Sequence, residues 1–254
     1  AKKPFLTLST KELYEAMAYA LPSPQGWIQN TLKKWSDVDA DLPDEKIIVL
    51  GPPPSSGTRD AFLELIMAPF CYGQPDFEER TCTSLREDGG YVDAGENENL
   101  IIRKIVSNLK IYGLVSYSYL TQNAGEVQAA AIDGVQPTLA SISNGTYPIS
   151  RTLYLYVNPS HLKTHPEITQ YLEEFLSDDA SGMEGYLTEK GLVPLTLQKR
   201  EEMRRRVQNV MLNSFQHPEK IATKYFVNLF QMDPETSSGW TALFGMTLRK
   251  TIAP

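Results

Sequence analysis

From position 55 the chain reads Ser-Ser-Gly-Thr-Arg, behind three prolines (Pro52, Pro53, Pro54) and ahead of an apolar-periodic stretch. Small hydroxyl residues, a glycine and a guanidinium at the mouth of a helix suit one chemistry, the holding of an oxyanion. The first N–H groups of a helix lack intrahelical acceptors and lie at the positive end of its dipole. Gly57 lets an oxyanion approach the backbone, Ser56 and Thr58 add hydroxyl donors, and Arg59 adds a fork of N–H groups matched to a tetrahedral anion. The prolines restrict the loop before a ligand arrives, which lowers the ordering cost of binding. The same residue types are also ordinary helix caps and loop stiffeners, and on residue types alone that plain use is favoured.

Other chemistries find less support. Gly51 and Gly57 enclose five residues and Thr58 stands where a nucleotide-binding P-loop needs lysine, so kinase or ATPase chemistry is not expected. Ser56 is not in a G-x-S-x-G elbow. His161, His165 and His217 lie in polar stretches without metal-ligand spacing and read as surface residues, so no metal and no cofactor is expected. Glu96 and Glu98 precede an apolar helical pattern and read as partners of its dipole. Arg204, Arg205 and Arg206 read as a solvated helix face. Cys71 and Cys82 are either two buried thiols or a disulfide closing a short loop, the latter requiring an oxidising compartment.

These residues must be carried by elements legible in the pattern. Ser9 and Glu12 form a capping box ahead of a helix ending before Pro22. The stretch to Asp44 reads as irregular. Residues 46–50 read as a buried strand, and Phe62, Leu63, Ile66 and Met67 recur at helical spacing until Pro69. Ile101, Ile102, Ile105 and Leu109 make another helical face. "GLVSYSYL" and "VQAAAI" read as strands, Asp133-Gly134 as a turn, and Thr138 as the cap of a short helix to Asn144. A strand over 151–157 and helices over 167–176, 180–190 and 196–207 follow. Strands alternating with helices predict an α/β fold. Beyond Asn209 the pattern weakens, and one amphipathic helix over 221–230 is the element expected there.

The chain has 254 residues, 41% of them hydrophobic, and a net charge of −7. An acidic balance argues against a nucleic-acid partner, although a small anion remains compatible with it. No apolar run is long enough to insert in a membrane.

Several segments together resemble a known family. They are "LGPPPSSGTRDAFLELIM" (50–67), "CTSLREDGGYVDAGENENLI" (82–101), "GLVSYSYLTQNA" (113–124), "AIDGVQPTLASISNGTYPISRTLYLYVN" (131–158) and "GYLTEKGLVPL" (185–195). With looser similarity between them they cover residues 1–209. The chain resembles the periplasmic phosphate-binding receptors of bacterial ABC phosphate transporters, of the alphaproteobacterial type. The resemblance implies an α/β, periplasmic-binding-protein type II-like fold: one lobe over 1–157, and C-terminal helices of an incomplete second lobe over 158–209. It implies a non-enzymatic, monomeric, periplasmic receptor that binds inorganic phosphate and delivers it to the ABC permease at the inner membrane. It carries phosphate binding onto Ser56, Gly57, Thr58 and Arg59, and onto Arg86, which stands in the matching R-E-D-G segment and is alternatively a brace. It also implies that Cys71 and Cys82 pair. Glu96 and Asn97 match without an assigned role. Relative to the family the chain reads as N-terminally truncated, which leaves a fragment that binds nothing as the alternative. A phosphoester-processing enzyme on the same scaffold is a weaker one. Residues 210–254 resemble translated repetitive DNA and are expected to be an atypical tail.

Overall fold

The computed structural model describes residues 6–71, 79–158, 161, 162, 164–216 and 225–232. The chain divides into two units. The first comprises Ala1–Pro137, Thr146–Ile149 and Pro234–Pro254, and the second Thr138–Gly145 and Ser150–Asp233.

The first unit opens with β1 (Thr7–Leu8) and α1 (Thr10–Met17). Ser9 caps α1 through the reciprocal bonds with Glu12 that the sequence predicts. The stretch expected to be irregular instead forms a hairpin, β2 (Ala20–Ser23) and β3 (Gly26–Gln29), and a short helix α2 (Trp35–Val38). The hairpin forms because Gly26, at φ 101°, accepts a left-handed conformation that reverses the chain. Trp35 is 1% exposed and meets Tyr112 edge-on.

Then come β4 (Val49–Gly51), α3 (Gly57–Phe62), a π-helical turn (Leu63–Met67) and α4 (Ala68–Cys71). Pro69 does not end this helix. The π turn shifts the ladder, with the Ala68 N–H bonding Leu63 O, and leaves Pro69 in the first turn of α4, where a missing N–H is tolerated. After α5 (Glu79–Thr83) come β5 (Tyr91–Asp93), α6 (Glu98–Ser107), β6 (Tyr112–Gly113), α7 (Tyr117–Gln122) and β7 (Ala131–Ile132). β5, β4 and β6 form a parallel sheet with β4 central, while β1 pairs in parallel with β7. Asp133 (φ 49°) and Gly134 (φ 75°) make the expected turn.

Cys71 and Cys82 are joined by a disulfide, with Cα atoms 5.6 Å apart and both residues fully buried. It ties the far end of the α3–α4 helix to α5. Replacing both cysteines by alanine is expected to lower stability by about 2–3 kcal/mol, the entropy of a loop this short. Urea unfolding of the double variant against the oxidised parent measures it.

In the second unit, Thr138 caps α8 (Leu139–Ser143) as expected. β8 (Arg151–Val157) turns Leu153, Leu155 and Val157 toward a core of Leu172, Phe175, Leu176, Leu195, Met203 and Val207. Helices α9 (Glu167–Phe175), α10 (Asp178–Ser181), α11 (Tyr186–Glu189) and α12 (Leu197–Gln216) supply that core. The single helix expected over 180–190 is thus two, parted at Gly182 and Gly185, where a Cβ would strike the backbone of Asp178 and Ala180.

Arg204 is not part of a solvated face. Its guanidinium donates to Leu176 O at 2.7 Å and to Asp178 at 2.6 Å, closing the C-terminus of α9 with a cation. The helix expected over 221–230 is, in its described part, a strand. β9 (Tyr225–Met232) runs antiparallel to β8 with a bulge between Leu153 and Tyr154, so pairing overrides the local helical pattern.

Candidate functional site

Three parallel strands end side by side in the first unit, and each is followed by a loop and a helix N-terminus. β4 leads to α3, β5 to α6 and β6 to α7. The chain leaves β4 for one neighbour and returns to the other, so β4 sits where the strand order reverses. Open α/β sheets bind ligands there, beyond the carboxyl ends of the strands.

The loop after β4 is the Pro/Ser/Gly segment. Ser56 is the N-cap of α3; its extended backbone (φ −83°, ψ 134°) lets Oγ accept the Thr58 N–H at 3.2 Å. The Ser56 N–H bonds back to Pro53 O at 3.0 Å, which closes the proline segment into a turn. Ser56 and Thr58 are 2% and 1% exposed. The Thr58 hydroxyl is buried without a hydrogen-bond partner among the described residues. A buried hydroxyl in that state costs about 1–3 kcal/mol. Gly57 opens the helix between them.

Arg59, in the first turn, places its guanidinium 5.1 Å from the centre of the Tyr91 ring. No carboxylate pairs with it among the described residues. Tyr91 is 8% exposed, its hydroxyl donates to Pro52 O at 2.6 Å, and burial pushes its phenol up to about 12. Gly51 is required here, because a Cβ on it would overlap the Tyr91 phenol.

The neighbouring loops are tied in. Ser55 donates to Glu96 at 2.7 Å. Asn97 caps α6 by accepting the Asn99 N–H. Glu98 is 1% exposed and accepts from both the Ser116 backbone N–H and the Ser116 hydroxyl, the latter at 2.8 Å. Its carboxylate therefore serves the start of α7 rather than the dipole of its own helix.

Arg86 lies in the first unit at 3% exposure, with four of its five N–H donors committed. It donates to Ala16 O at 2.9 Å, Leu32 O at 2.5 Å and both oxygens of Asp88 at 2.7 Å. These bonds pin α1, the segment after β3 and the approach to β5 to one another. The Arg86 guanidinium, with Lys33 and the Gly90 N–H in support, holds the Asp88 carboxyl well below the usual carboxylate range.

Ser56, Gly57, Thr58 and Arg59 are thus brought together, and Arg86 is engaged elsewhere. Sequence reasoning missed Tyr91 and the Glu98–Ser116 pair. His161 and His165 are exposed, with His165 beside Glu167, while His217 lies outside the described residues. Among the described residues no group of three His, Cys, Asp or Glu is arranged to hold a metal, and no helix is long and apolar enough to cross a membrane.

Residues 1–179 match the family model described as the PBP superfamily domain. Proteins named phosphate-binding protein PstS are similar: that of Staphylococcus epidermidis is 26% identical over 162 residues, 61% of this chain and 44% of its own length. The one from Staphylococcus haemolyticus is 28% identical over 61% of this chain and 46% of its own. The chain therefore spans less than half the length of these relatives. Of solved structures, a possible phosphate binding protein from Planctomyces limnophilus is 26% identical, covering 81% of this chain and 65% of that one, with a TM-score of 0.61. PstS from Borrelia burgdorferi shares the fold at a TM-score of 0.55 and 18% identity, over 77% of this chain and 67% of its own.

Proposed function

The chain belongs to the PBP superfamily, and from that membership we propose that it binds inorganic phosphate through Ser56, Gly57, Thr58 and Arg59, for delivery to an ABC permease. One observation carries the reading: a buried, unpartnered hydroxyl, Thr58 Oγ1, at a capped helix N-terminus beside a guanidinium that no carboxylate neutralises among the described residues. A phosphate oxygen supplies the acceptor that hydroxyl lacks, and the positive helix end and Arg59 favour its charge. The site has no need of net positive charge on the protein, because dipoles and one arginine provide the field locally. Arg86 acts as a brace of the same unit, four of its donors being spent on Asp88 and two backbone carbonyls. The role is binding rather than chemistry on the ligand, as the names of the phosphate-binding relatives suggest.

The Cys71–Cys82 disulfide supports function in an oxidising compartment outside the cytoplasm, for which the family resemblance suggests the periplasm. Titrating the purified chain with phosphate in a calorimeter, with sulfate as control, tests the reading. Saturable heat with phosphate and none with sulfate is expected. Silence toward phosphate at millimolar concentration would reduce the chain to a receptor-derived fragment without the proposed activity.

A further inference from the structure

Tyr91 makes three contacts that no motif announces. Its hydroxyl donates to Pro52 O, the first carbonyl of the loop. Its ring edge fills the space that Gly51 leaves by having no side chain. Its ring face lies under the Arg59 guanidinium. Tyr91 and Gly51 sit on adjacent, hydrogen-bonded strands, β5 and β4. A long, flexible arginine side chain at a helix N-terminus gains a fixed seat only from such a neighbour. An aromatic face supplies it through the attraction of the ring quadrupole for a cation, without neutralising the charge as a carboxylate would.

We infer that Tyr91 is a positioning residue for the anion loop: its ring seats the Arg59 guanidinium with the charge intact, and its hydroxyl fixes the Pro52 carbonyl from which the loop departs. The inference rests on the phosphate reading for its ligand and on the Tyr91 contacts for its geometry.

The test is a double-mutant cycle with an independent spectroscopic arm. Phosphate affinity is measured for the parent chain, Tyr91→Leu, Arg59→Leu and the double variant. Tyr91→Met replaces the leucine variant should that one not fold. Tyr91→Leu is expected to weaken phosphate binding about tenfold. In the Arg59→Leu background the same change is expected to cost less than about twofold, since the residue it positions is gone. In parallel, the Arg59 Nε–H resonance of the ligand-free chain is expected to lie upfield from the ring current of Tyr91. It should stay there in Tyr91→Phe and move downfield in Tyr91→Leu. Equal losses in both backgrounds would make Tyr91 a packing residue and overturn the inference. So would an Arg59 resonance indifferent to the ring. A parent chain that ignores phosphate overturns the functional reading, and with it the ligand half of this inference, while the resonance arm still decides whether Tyr91 seats Arg59.

Discussion

Ser56→Asp is expected to keep the α3 cap, to lose about 1–3 kcal/mol of stability to the burial of a charge, and to lose phosphate binding by more than about a hundredfold. The two expectations have different causes, which is the value of the substitution. Ser56 caps α3 by accepting the Thr58 N–H. Aspartate caps a helix about as well as serine, and its charge is favoured in the first turn by the dipole. Folding therefore keeps its bond. A phosphate held at the same N–H groups would meet a fixed carboxylate in a nearly water-free position, since Ser56 is 2% exposed. Like charges brought together there cost several kcal/mol. Calorimetric titration and thermal melting on the same preparation separate the two effects. Undiminished binding in a folded Ser56→Asp chain would move the phosphate site away from this loop.

The largest expected loss of stability comes from Arg86. Replacing it by methionine keeps the bulk of the side chain but leaves Ala16 O and Leu32 O without that donor, and leaves Asp88 to Lys33 and the Gly90 N–H. Leaving a buried acceptor without its donor costs about 1–3 kcal/mol, and two carbonyls lose theirs here. The parent and the variant should also differ in pH dependence. Arg86, aided by Lys33 and the Gly90 N–H, depresses the folded-state pKa of Asp88. A carboxyl lowered on folding adds stability that is fully present above its unfolded pKa of about 3.9 and is lost as pH falls through the folded value. Urea midpoints for the parent should therefore carry an acid-side decline below about pH 4, attributable to Asp88. In Arg86→Met that component should shrink, with the whole curve displaced downward. A variant as stable as the parent at pH 7 would refute the bracing role and return Arg86 to the list of candidate ligands.

What the sequence made legible was local. The Ser9–Glu12 capping box, the Thr138 cap, the Asp133-Gly134 turn and the Ser56 cap each depend on residues within four positions, and each is found in the structure. The errors lie where distant contacts decide. "SYSYL" alternates like a strand, yet α7 begins at Tyr117, because Ser116 is held extended by the carboxylate of Glu98. The tail pattern suggests a helix, yet residues 225–232 pair with β8. Of the candidate site, residue types at 55–59 alone favour a plain helix cap, and the family resemblance makes the segment a candidate anion loop. Its surroundings could not be read: Tyr91 is 32 positions from Arg59, and Arg86 reaches carbonyls at Ala16 and Leu32, contacts that leave no periodic trace. Resemblance to a family supplied the ligand class, and only geometry separated the arginine beside the loop from the arginine that braces it.

The π turn within the helix that starts at Gly57 is a store of one residue of chain. A π turn takes about one residue more per turn than an α-helix, so the helix carries extra chain while its two ends keep the phase of a regular one. Upstream of it stand Thr58 and Arg59; downstream Cys71 meets Cys82. Removing a single residue between Leu63 and Met67 would return the ladder to a regular helix and leave those two ends in phase. Adding a further residue there would instead turn one end about 100° relative to the other. The segment is therefore a place where the chain can shorten by one codon without re-aiming either end, and where it cannot lengthen as freely.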